Sequence, residues 1–210
     1  IRPLVFYGSE GMGLHANNLS VHVSIASWMW GTYLGEDALA KGITVKTSSF
    51  TRHLVNSVMC RAKATGGYIN SVMALQEVAK DGYDEALLLD SEGMVAEGTG
   101  ENIFIVKKGE LFTPVLTSAL EGITRETIIQ LANKLELKVS EKKITRDEVY
   151  ISDEAFFTGT AAEVTPIREL DGRQIGTGSI GKITSLLQNA YLEAVKGEKT
   201  FNEDWLTFVP

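Results

Sequence analysis

The chain has 210 residues, of which 44% are apolar, so it can bury a sizeable core in one large or two small domains. A net charge of -7 and the lack of a dense basic run argue against a nucleic-acid partner. No apolar stretch approaches the roughly 20 residues that span a bilayer, and no signal-peptide pattern is present. We therefore expect a soluble, cytoplasmic protein without a membrane partner.

Cysteine and histidine usage points away from disulfide and metal chemistry. The one cysteine, Cys60, cannot form an internal disulfide, and a reducing cytoplasm fits this composition. The histidines His15, His22 and His53 are scattered, and no Cys or His cluster has metal-ligand spacing. We therefore predict neither a bound metal nor a Ser-His-Asp triad, and expect a structural role for each histidine.

Short β-rich runs alternate with longer helical segments, which predicts a mixed α/β or α+β fold. Near the start of the chain the predicted strands are LVFYG, VHVSIAS and ITVKTSS, and GEDALAKG is a predicted short helix. The segment YINSVMALQEVAK has apolar residues near helical spacing and ends at Asp81-Gly82. The glycine pair before Tyr68 therefore lies at the start of a helix.

The rest of the chain continues this alternation. The apolar runs NIFIV and ELFTP, joined by Lys107-Lys108-Gly109, predict a hairpin after the strands EALLLD and MVAEGTG. Thr124 is the predicted N-cap of the helix RETIIQLANKLE. Then follow a strand in LKVSEKKI, a short helix near RDEVYI, two strands in EAFFTGTAAEVTPI and a helix in GKITSLLQNAYLEAVKG. No repeat or low-complexity linker interrupts the chain, so one domain over residues 1–210 is predicted.

Four turns of small residues stand out, AKATGGY, EGTGEN, EGITRE and TGTAAE. Each presents backbone N–H groups, and such amides at a turn or a helix N-terminus bind anions. Any one of them is most often an ordinary turn, and none has the spacing of a P-loop or a dinucleotide-binding fingerprint. Lys63 lies in the first turn, where it is either a solvated lysine or a reactive one.

A reactive lysine in this setting would suit a phosphorylated ring cofactor held as an imine. Such a site needs an amine without carboxylate partners, hydrogen-bond donors for the phosphate, and an acid that keeps the pyridine nitrogen protonated. The small neighbours of Lys63 leave room for the ring, and the turns supply the amides. Glu97 and Glu101 are the two candidate acids.

The ordered motifs RAKATGGY, AEGTGENIFIV, ALEGITRETI and FFTGTAAEVTPI resemble those of the class IV, fold-type IV aminotransferases, which use pyridoxal 5'-phosphate. The resemblance runs from Arg2 to the final helix and is strongest to the bacterial branched-chain amino acid aminotransferases. It implies a cofactor-binding large domain with a mixed sheet or pseudo-barrel and surrounding helices. It also implies reversible amino transfer between leucine, isoleucine or valine and 2-oxoglutarate.

The resemblance assigns the cofactor site residue by residue. Lys63 is implied as the catalytic residue, which binds the cofactor and moves a proton at the substrate α-carbon. Glu97 would hold the pyridine nitrogen, with Glu101 as its rival, and Tyr68 would bond the ring oxygen and wall the substrate pocket. The implied phosphate-binding residues are Ile123, Thr124, Gly159 and Thr160.

The resemblance also assigns the substrate side of the site. Trp30 and Tyr33 are similar to pocket walls, and Leu14 to a residue that reaches a neighbouring subunit's site, which implies a homo-oligomer. Arg2 resembles the arginine that receives the distal carboxylate of glutamate. The remaining implied substrate-binding residues are Tyr68, Thr160 and Ala161.

The sequence departs from the family pattern at its beginning. Family members carry a small N-terminal domain, with an arginine for the cofactor phosphate, before the point where this sequence starts. Because that cation is not in the sequence, we expect this chain alone to bind the cofactor weakly and to have little activity.

Two related enzymes and one non-enzymatic role remain as alternatives. D-amino acid aminotransferase and aminodeoxychorismate lyase share the fold, the lysine and the glutamate. EGTGENIF and WGTYLG favour the branched-chain enzyme. The third alternative is an inactive folded module, which would show no imine absorbance that depends on Lys63.

Overall fold

A computed structural model describes residues 1–15, 17–31, 33–199, 201 and 203–207. The chain divides into two compact units, Ile1–Gly31 and Thr32–Pro210. This division does not test the single domain predicted over residues 1–210, which stays a prediction. No helix in the described residues is long and apolar enough to cross a membrane.

The first unit contains an antiparallel ribbon of two strands, β1 (Arg2–Tyr7) and β2 (Val21–Ala26). Both strands were predicted from their β-branched and aromatic residues. Phe6 pairs with His22 across the ribbon, and their rings stack with centroids 5.5 Å apart. His22 therefore has a structural role in this ribbon, as expected.

The second unit is built on a mixed sheet with strand order β5-β4-β3-β10-β9-β6-β7-β8, and β11 pairs with β10. The strands are β3 (Ile43–Thr47), β4 (Glu85–Leu89), β5 (Val95–Glu97), β6 (Asn102–Lys107), β7 (Glu110–Pro114), β8 (Val139–Lys142), β9 (Glu154–Gly159), β10 (Glu163–Leu170) and β11 (Arg173–Gln174). The pairs β3–β4, β3–β10 and β7–β8 are parallel, and the other pairs are antiparallel.

Helices surround this sheet, which confirms the predicted α/β class. They are α1 (Glu36–Lys41), α2 (Tyr68–Lys80), α3 (Ile123–Lys134), α4 (Arg146–Tyr150) and α5 (Lys182–Val195). Two short 3₁₀ turns cover Thr65–Gly67 and Glu203–Trp205. The predicted hairpin is also confirmed, since Lys108 and Gly109 connect β6 to β7.

The sheet is buried on both faces, which explains its uninterrupted apolar runs. On one face, Ile103 and Phe157 belong to a core that includes Val149 of α4. On the other face, Phe104 and Phe156 stack with ring centroids 5.2 Å apart in the core shared with α3 and α5. Successive residues of a strand point to opposite faces, so neighbouring phenylalanines serve different cores.

The predicted N-cap of α3 is wrong. The helix begins at Ile123, and Gly122 is its extended N-cap with φ -75° and ψ 132°. Thr124 therefore lies in the first turn, where its side chain is buried. The N-cap position itself accepts only a glycine, because Asn102 lies in the space that a side chain would need. A Cβ built on Gly122 would lie 2.1 Å from Asn102 Oδ1.

Helix α2 occupies the predicted residues and is followed by Asp81, but much of its apolar face is exposed. Ile69, Val72 and Met73 are exposed. The face packed on the sheet consists of Ser71, Ala74 and Val78. Small residues let this helix approach β4 closely, which a search for large apolar residues at helical spacing does not reveal.

Candidate active site

Lys63 lies in the turn that leads into α2 and contacts the first residue of that helix. Its Nζ donates a hydrogen bond to Tyr68 Oη at 2.8 Å and lies 5.4 Å from the centre of the Tyr68 ring. The 3₁₀ turn Thr65–Gly67 brings the two side chains together, since it reverses the chain between them. Within the described part of the chain, Lys63 makes no salt bridge with a carboxylate.

The Lys63 turn opens onto a cavity of about 270 Å³ in the second unit. The walls come from the turn before α2, the end of β5 and the residues after it, the start of α3 and the end of β9. The family resemblance implies seven cofactor-binding residues, and all of them line this cavity: Lys63, Tyr68, Glu97, Ile123, Thr124, Gly159 and Thr160. Four segments far apart in sequence therefore meet at one place.

Glu97, at the end of β5, is a buried carboxylate that accepts hydrogen bonds on both oxygens. Its Oε1 lies 2.6 Å from Arg52 Nη2, and its side chain is 4% exposed. Its Oε2 accepts from the Leu120 backbone N–H at 3.1 Å. Burial raises the pKa of Glu97, while the Arg52 charge, the Leu120 N–H and the Lys63 charge act in the opposite direction.

The rival acid, Glu101, has a different environment. Burial and the charge of Glu85 raise the pKa of Glu101 to about 8, against a smaller opposing effect of the Gly100 N–H. Burial raises the pKa of both carboxyls, but Glu97 is paired with Arg52, whereas Glu101 forms no salt bridge among the described residues. Glu97, which has a cationic partner, is the better placed acid of the two.

Glu101 is expected to make the protein less stable as pH rises from 4.5 to about 8. The folded protein keeps this proton up to about pH 8, whereas the unfolded chain releases it near 4.5. The Glu101→Gln variant should gain stability relative to wild type across this window, with a limiting slope of about 1.4 kcal/mol per pH unit. Because Glu85 shares in the shift, the measured slope should fall below this limit.

Urea unfolding between pH 5 and pH 8.5 measures this effect. The matched control is Glu198→Gln, at an exposed position, which should follow the wild-type curve. Parallel curves for Glu101→Gln and wild type would show that Glu101 titrates normally.

The start of α3 presents backbone amides to the cavity. The N–H groups in the first turn of a helix lack carbonyl partners within the helix and bind anions. Ile123 and Thr124 occupy this turn and line the cavity. The Thr124 side chain lies close enough to Tyr191 of α5 to oppose the rise that burial causes in the pKa of Tyr191. This contact places the first turn against α5, so Thr124 contributes to packing as well as to the cavity wall.

A methyl group at Gly122 is expected to destabilise the protein by about 1–3 kcal/mol, the usual cost of overpacking. The added Cβ would overlap Asn102 Oδ1, while Asn102 Nδ2 donates to the Leu120 carbonyl at 2.8 Å. Chemical unfolding of Gly122→Ala without ligand measures this cost. The control is Gly100→Ala on the same cavity, since a Cβ there meets nothing within 4 Å. Equal stability of the two variants would contradict the steric argument.

The turn after β9 completes the cavity on its remaining side. Thr158, Gly159 and Thr160 line it, and a Cβ on Gly159 would lie 3.3 Å from the Gly100 carbonyl oxygen. The turn therefore packs closely against the segment that follows Glu97. Ala161 is exposed and does not line the cavity in the described structure.

The predicted substrate residues fall in both units. Arg2, Leu14 and Trp30 belong to the first unit, and their assignment to the site stays a prediction. Tyr33 belongs to the second unit. Burial raises its pKa, and the charges of Glu101 and Glu85 add to the shift. Tyr33 is therefore coupled electrostatically to an acid in the cavity wall.

The sequence did not reveal several cavity residues. Arg52, Arg61 and Asn102 all contribute to the lining. Arg52 comes from a polar segment, SSFTRH, that has no recognisable motif. Asn102 was visible within EGTGENIF but carried no assignment. In the described residues, no group of three or more His, Cys, Asp or Glu side chains could hold a metal ion.

Comparison with known proteins agrees with this geometry. The model of the family described as amino-transferase class IV matches residues 1–170. A branched-chain-amino-acid aminotransferase of Pseudomonas aeruginosa is 62% identical over 209 residues, which cover 100% of this chain and 68% of that protein. The Escherichia coli (strain K12) enzyme of the same name is 45% identical over 208 residues, covering 98% and 67%.

Solved structures of the same enzyme class share the fold. The Escherichia coli branched-chain amino acid aminotransferase superposes with a TM-score of 0.96 at 44% identity, covering 99% of this chain and 69% of that one. The Thermobaculum terrenum enzyme, solved in its PLP-form, gives 0.89 at 40% identity, covering 98% and 66%. The mixed sheet and its helices are thus the predicted fold-type IV architecture, and the chain belongs to the class IV aminotransferase family.

Proposed function

We propose that this chain is the cofactor-binding part of a branched-chain-amino-acid aminotransferase. The reaction would be reversible amino transfer between leucine, isoleucine or valine and 2-oxoglutarate. Class IV membership makes the chain part of a transaminase, and relatives at 62% and 45% identity carry the branched-chain name. The observation that best supports this function is that Lys63, Glu97 and the N-terminus of α3 line one cavity.

The residues present fit pyridoxal 5'-phosphate. The cavity offers an amine for the aldehyde, a buried carboxylate for the ring nitrogen and a helix N-terminus for the phosphate. When bound, the cofactor supplies an electron sink for the carbanion formed at the substrate α-carbon. Phosphate binding is assigned to Ile123, Thr124, Gly159 and Thr160.

Lys63 is the proposed acid and base. Its Nζ would take a proton from the substrate α-carbon and return one during the reverse transfer. The Tyr68 hydroxyl already holds Nζ at 2.8 Å, so Tyr68 fixes the position from which the proton moves. Tyr68 is also assigned to the cofactor ring oxygen and to the substrate pocket. A charged Glu97 would keep the ring nitrogen protonated.

The substrate side of the proposal rests on the family resemblance. Arg2 would receive the distal carboxylate of glutamate, and Trp30 and Tyr33 would contact the side chain. Leu14 would reach a neighbouring subunit's site, and the Ala161 turn would receive the α-carboxylate together with Thr160. A homo-oligomer and a cytoplasmic location belong to the same proposal.

Substrate assays on the purified protein test the assignment. With saturating pyridoxal 5'-phosphate, L-leucine and 2-oxoglutarate should yield glutamate at a measurable rate, although a low one, in line with the weak cofactor binding expected of this chain alone. D-alanine should yield none under the same conditions. Transfer from D-alanine in place of L-leucine would indicate a D-amino acid aminotransferase, and pyruvate release from aminodeoxychorismate would indicate the lyase. An inactive module would neither turn over a substrate nor develop an absorbance band that requires Lys63.

A further inference from the structure

Arg52 is an almost buried arginine that contacts the cavity carboxylate directly. Its side chain is 11% exposed, and its Nη2 lies 2.6 Å from Glu97 Oε1. Arg52 Nε donates to the same oxygen at 2.8 Å. Arg52 therefore holds Oε1 by one hydrogen bond from Nε and a short ion-pair contact from Nη2. Charge-assisted bonds of this kind are stronger than neutral ones and fix the orientation of a carboxylate.

The other carboxylate oxygen is less fully occupied. Glu97 Oε2 accepts from the Leu120 N–H at 3.1 Å, and Asn102 Nδ2 lies at the longer distance of 3.4 Å. A carboxylate has about four lone-pair sites, two on each oxygen. Donors already approach both oxygens, and the Asn102 contact is the longest of them, so Oε2 is the oxygen at which a donor from the cavity would most readily replace a partner.

Arg52 is itself anchored to the helix that begins beside Lys63. Its Nη1 donates to Asn70 Oδ1 at 3.1 Å and to Ser71 Oγ at 2.9 Å. Both residues lie in the first turn of α2, which starts at Tyr68. The Arg52 guanidinium thus connects Glu97 to α2, the helix whose first residue, Tyr68, bonds to Lys63.

The charge of Arg52 opposes the effect of burial on Glu97. Burial alone would make this carboxyl take up a proton, and the Arg52 charge is the largest opposing influence. Three other titratable groups face the pair. The Lys63 charge favours the charged carboxylate of Glu97, the Glu97 charge raises the pKa of Glu101, and the Arg52 charge lowers the pKa of His53.

We propose that Arg52 is a positioning residue that favours the charged form of Glu97 and fixes the orientation of its carboxylate at the cavity wall. The inference rests on the role of Glu97 proposed above. Arg52 acts through Glu97, so the direct effect of removing Arg52 should be a change in the protonation of the Glu97 carboxyl.

The test is a pH titration of the Glu97 carboxyl in the Arg52→Met protein without cofactor. The titration is monitored by ¹³C NMR of protein labelled at its glutamate side chains. Comparison with Glu97→Gln identifies the signal. We expect the apparent pKa of Glu97 to rise by about 1–3 pH units in Arg52→Met, the size of effect that a nearby opposite charge produces. Arg52→Lys keeps a cation and should restore most of the wild-type value.

The same variants with pyridoxal 5'-phosphate give a second readout. The pH dependence of the cofactor absorbance should move with the Glu97 titration in Arg52→Met and return with Arg52→Lys. If Arg52→Met does not fold, the double variant Arg52→Met, Glu97→Gln should fold, since it removes both buried charges. In that case Arg52→Gln decides, because it removes the charge while its amide can still form hydrogen bonds, and it should raise the apparent pKa of Glu97.

An unchanged Glu97 titration in Arg52→Met, or in Arg52→Gln where Arg52→Met does not fold, would overturn the proposal and leave Arg52 a purely structural role. Failure of the proposed function looks different. In that case wild type would form no Lys63 adduct with the cofactor, or Glu97→Gln would transaminate normally, while the carboxyl titration without cofactor could still depend on Arg52.

Discussion

Replacing Lys63 by alanine is expected to abolish the covalent adduct with pyridoxal 5'-phosphate and to reduce leucine transamination by at least about 10²–10⁴-fold, the usual contribution of a positioned acid-base group. The variant loses both the amine that binds the aldehyde and the group that moves the α-proton. Its fold should survive, since the Lys63 side chain is exposed and its hydrogen bond is to Tyr68. Leucine turnover and cofactor absorbance measure the two effects.

The matched control is Lys138→Ala, which removes an exposed lysine that pairs with Glu110 and lies outside the cavity. This variant should keep wild-type turnover and absorbance, because an exposed ion pair contributes little. A Lys63→Ala variant with wild-type turnover would remove Lys63 from the reaction, and the proposed function would then need another amine.

The second large effect is expected for Glu97→Gln. The amide cannot hold a protonated pyridine nitrogen by charge, and the loss of one preorganised electrostatic partner lowers rates by about 10²–10³-fold. It also leaves the Arg52 guanidinium without its charged partner at a site where Glu97 is 4% exposed. We therefore expect a loss of about 3–5 kcal/mol in the free energy of unfolding, as for other broken buried pairs.

Glu101→Gln is the comparison that makes this result specific. Glutamine has the shape of a protonated glutamate, and Glu101 holds its proton up to about pH 8. Transamination at neutral pH should therefore stay near the wild-type rate in Glu101→Gln. If Glu101→Gln lost most of its transamination rate while Glu97→Gln kept nearly the wild-type rate, Glu101 rather than Glu97 would be the acid that holds the pyridine nitrogen.

Local patterns predicted the parts of the fold and site that depend on neighbours in sequence. The hairpin of β6 and β7 followed from two apolar runs around Lys108-Gly109, and α2 followed from its periodicity. Lys63, Tyr68 and Glu97 were recognisable because each lies in a short motif of small residues, and the cavity contains all three. Motif order was the information that joined segments far apart in the chain.

Other features depend on contacts that sequence patterns do not record. Gly122 caps α3, and a glycine is needed there because Asn102 of β6 occupies the space that a Cβ would take. Arg52 reaches Glu97 only because β3 and β4 are parallel neighbours and β5 pairs with β4. Its importance is a property of the assembled sheet, so a single arginine in SSFTRH gave no signal.

The central claim is that the Lys63 amine forms the covalent bond with the cofactor. Borohydride reduction of the protein with pyridoxal 5'-phosphate, followed by peptide mapping, tests it most directly. We expect one reduced pyridoxyl group on the peptide that contains RAKATGG, attached at Lys63 and missing in Lys63→Ala. A pyridoxyl group on another lysine, or none in protein that transaminates leucine, would contradict the claim.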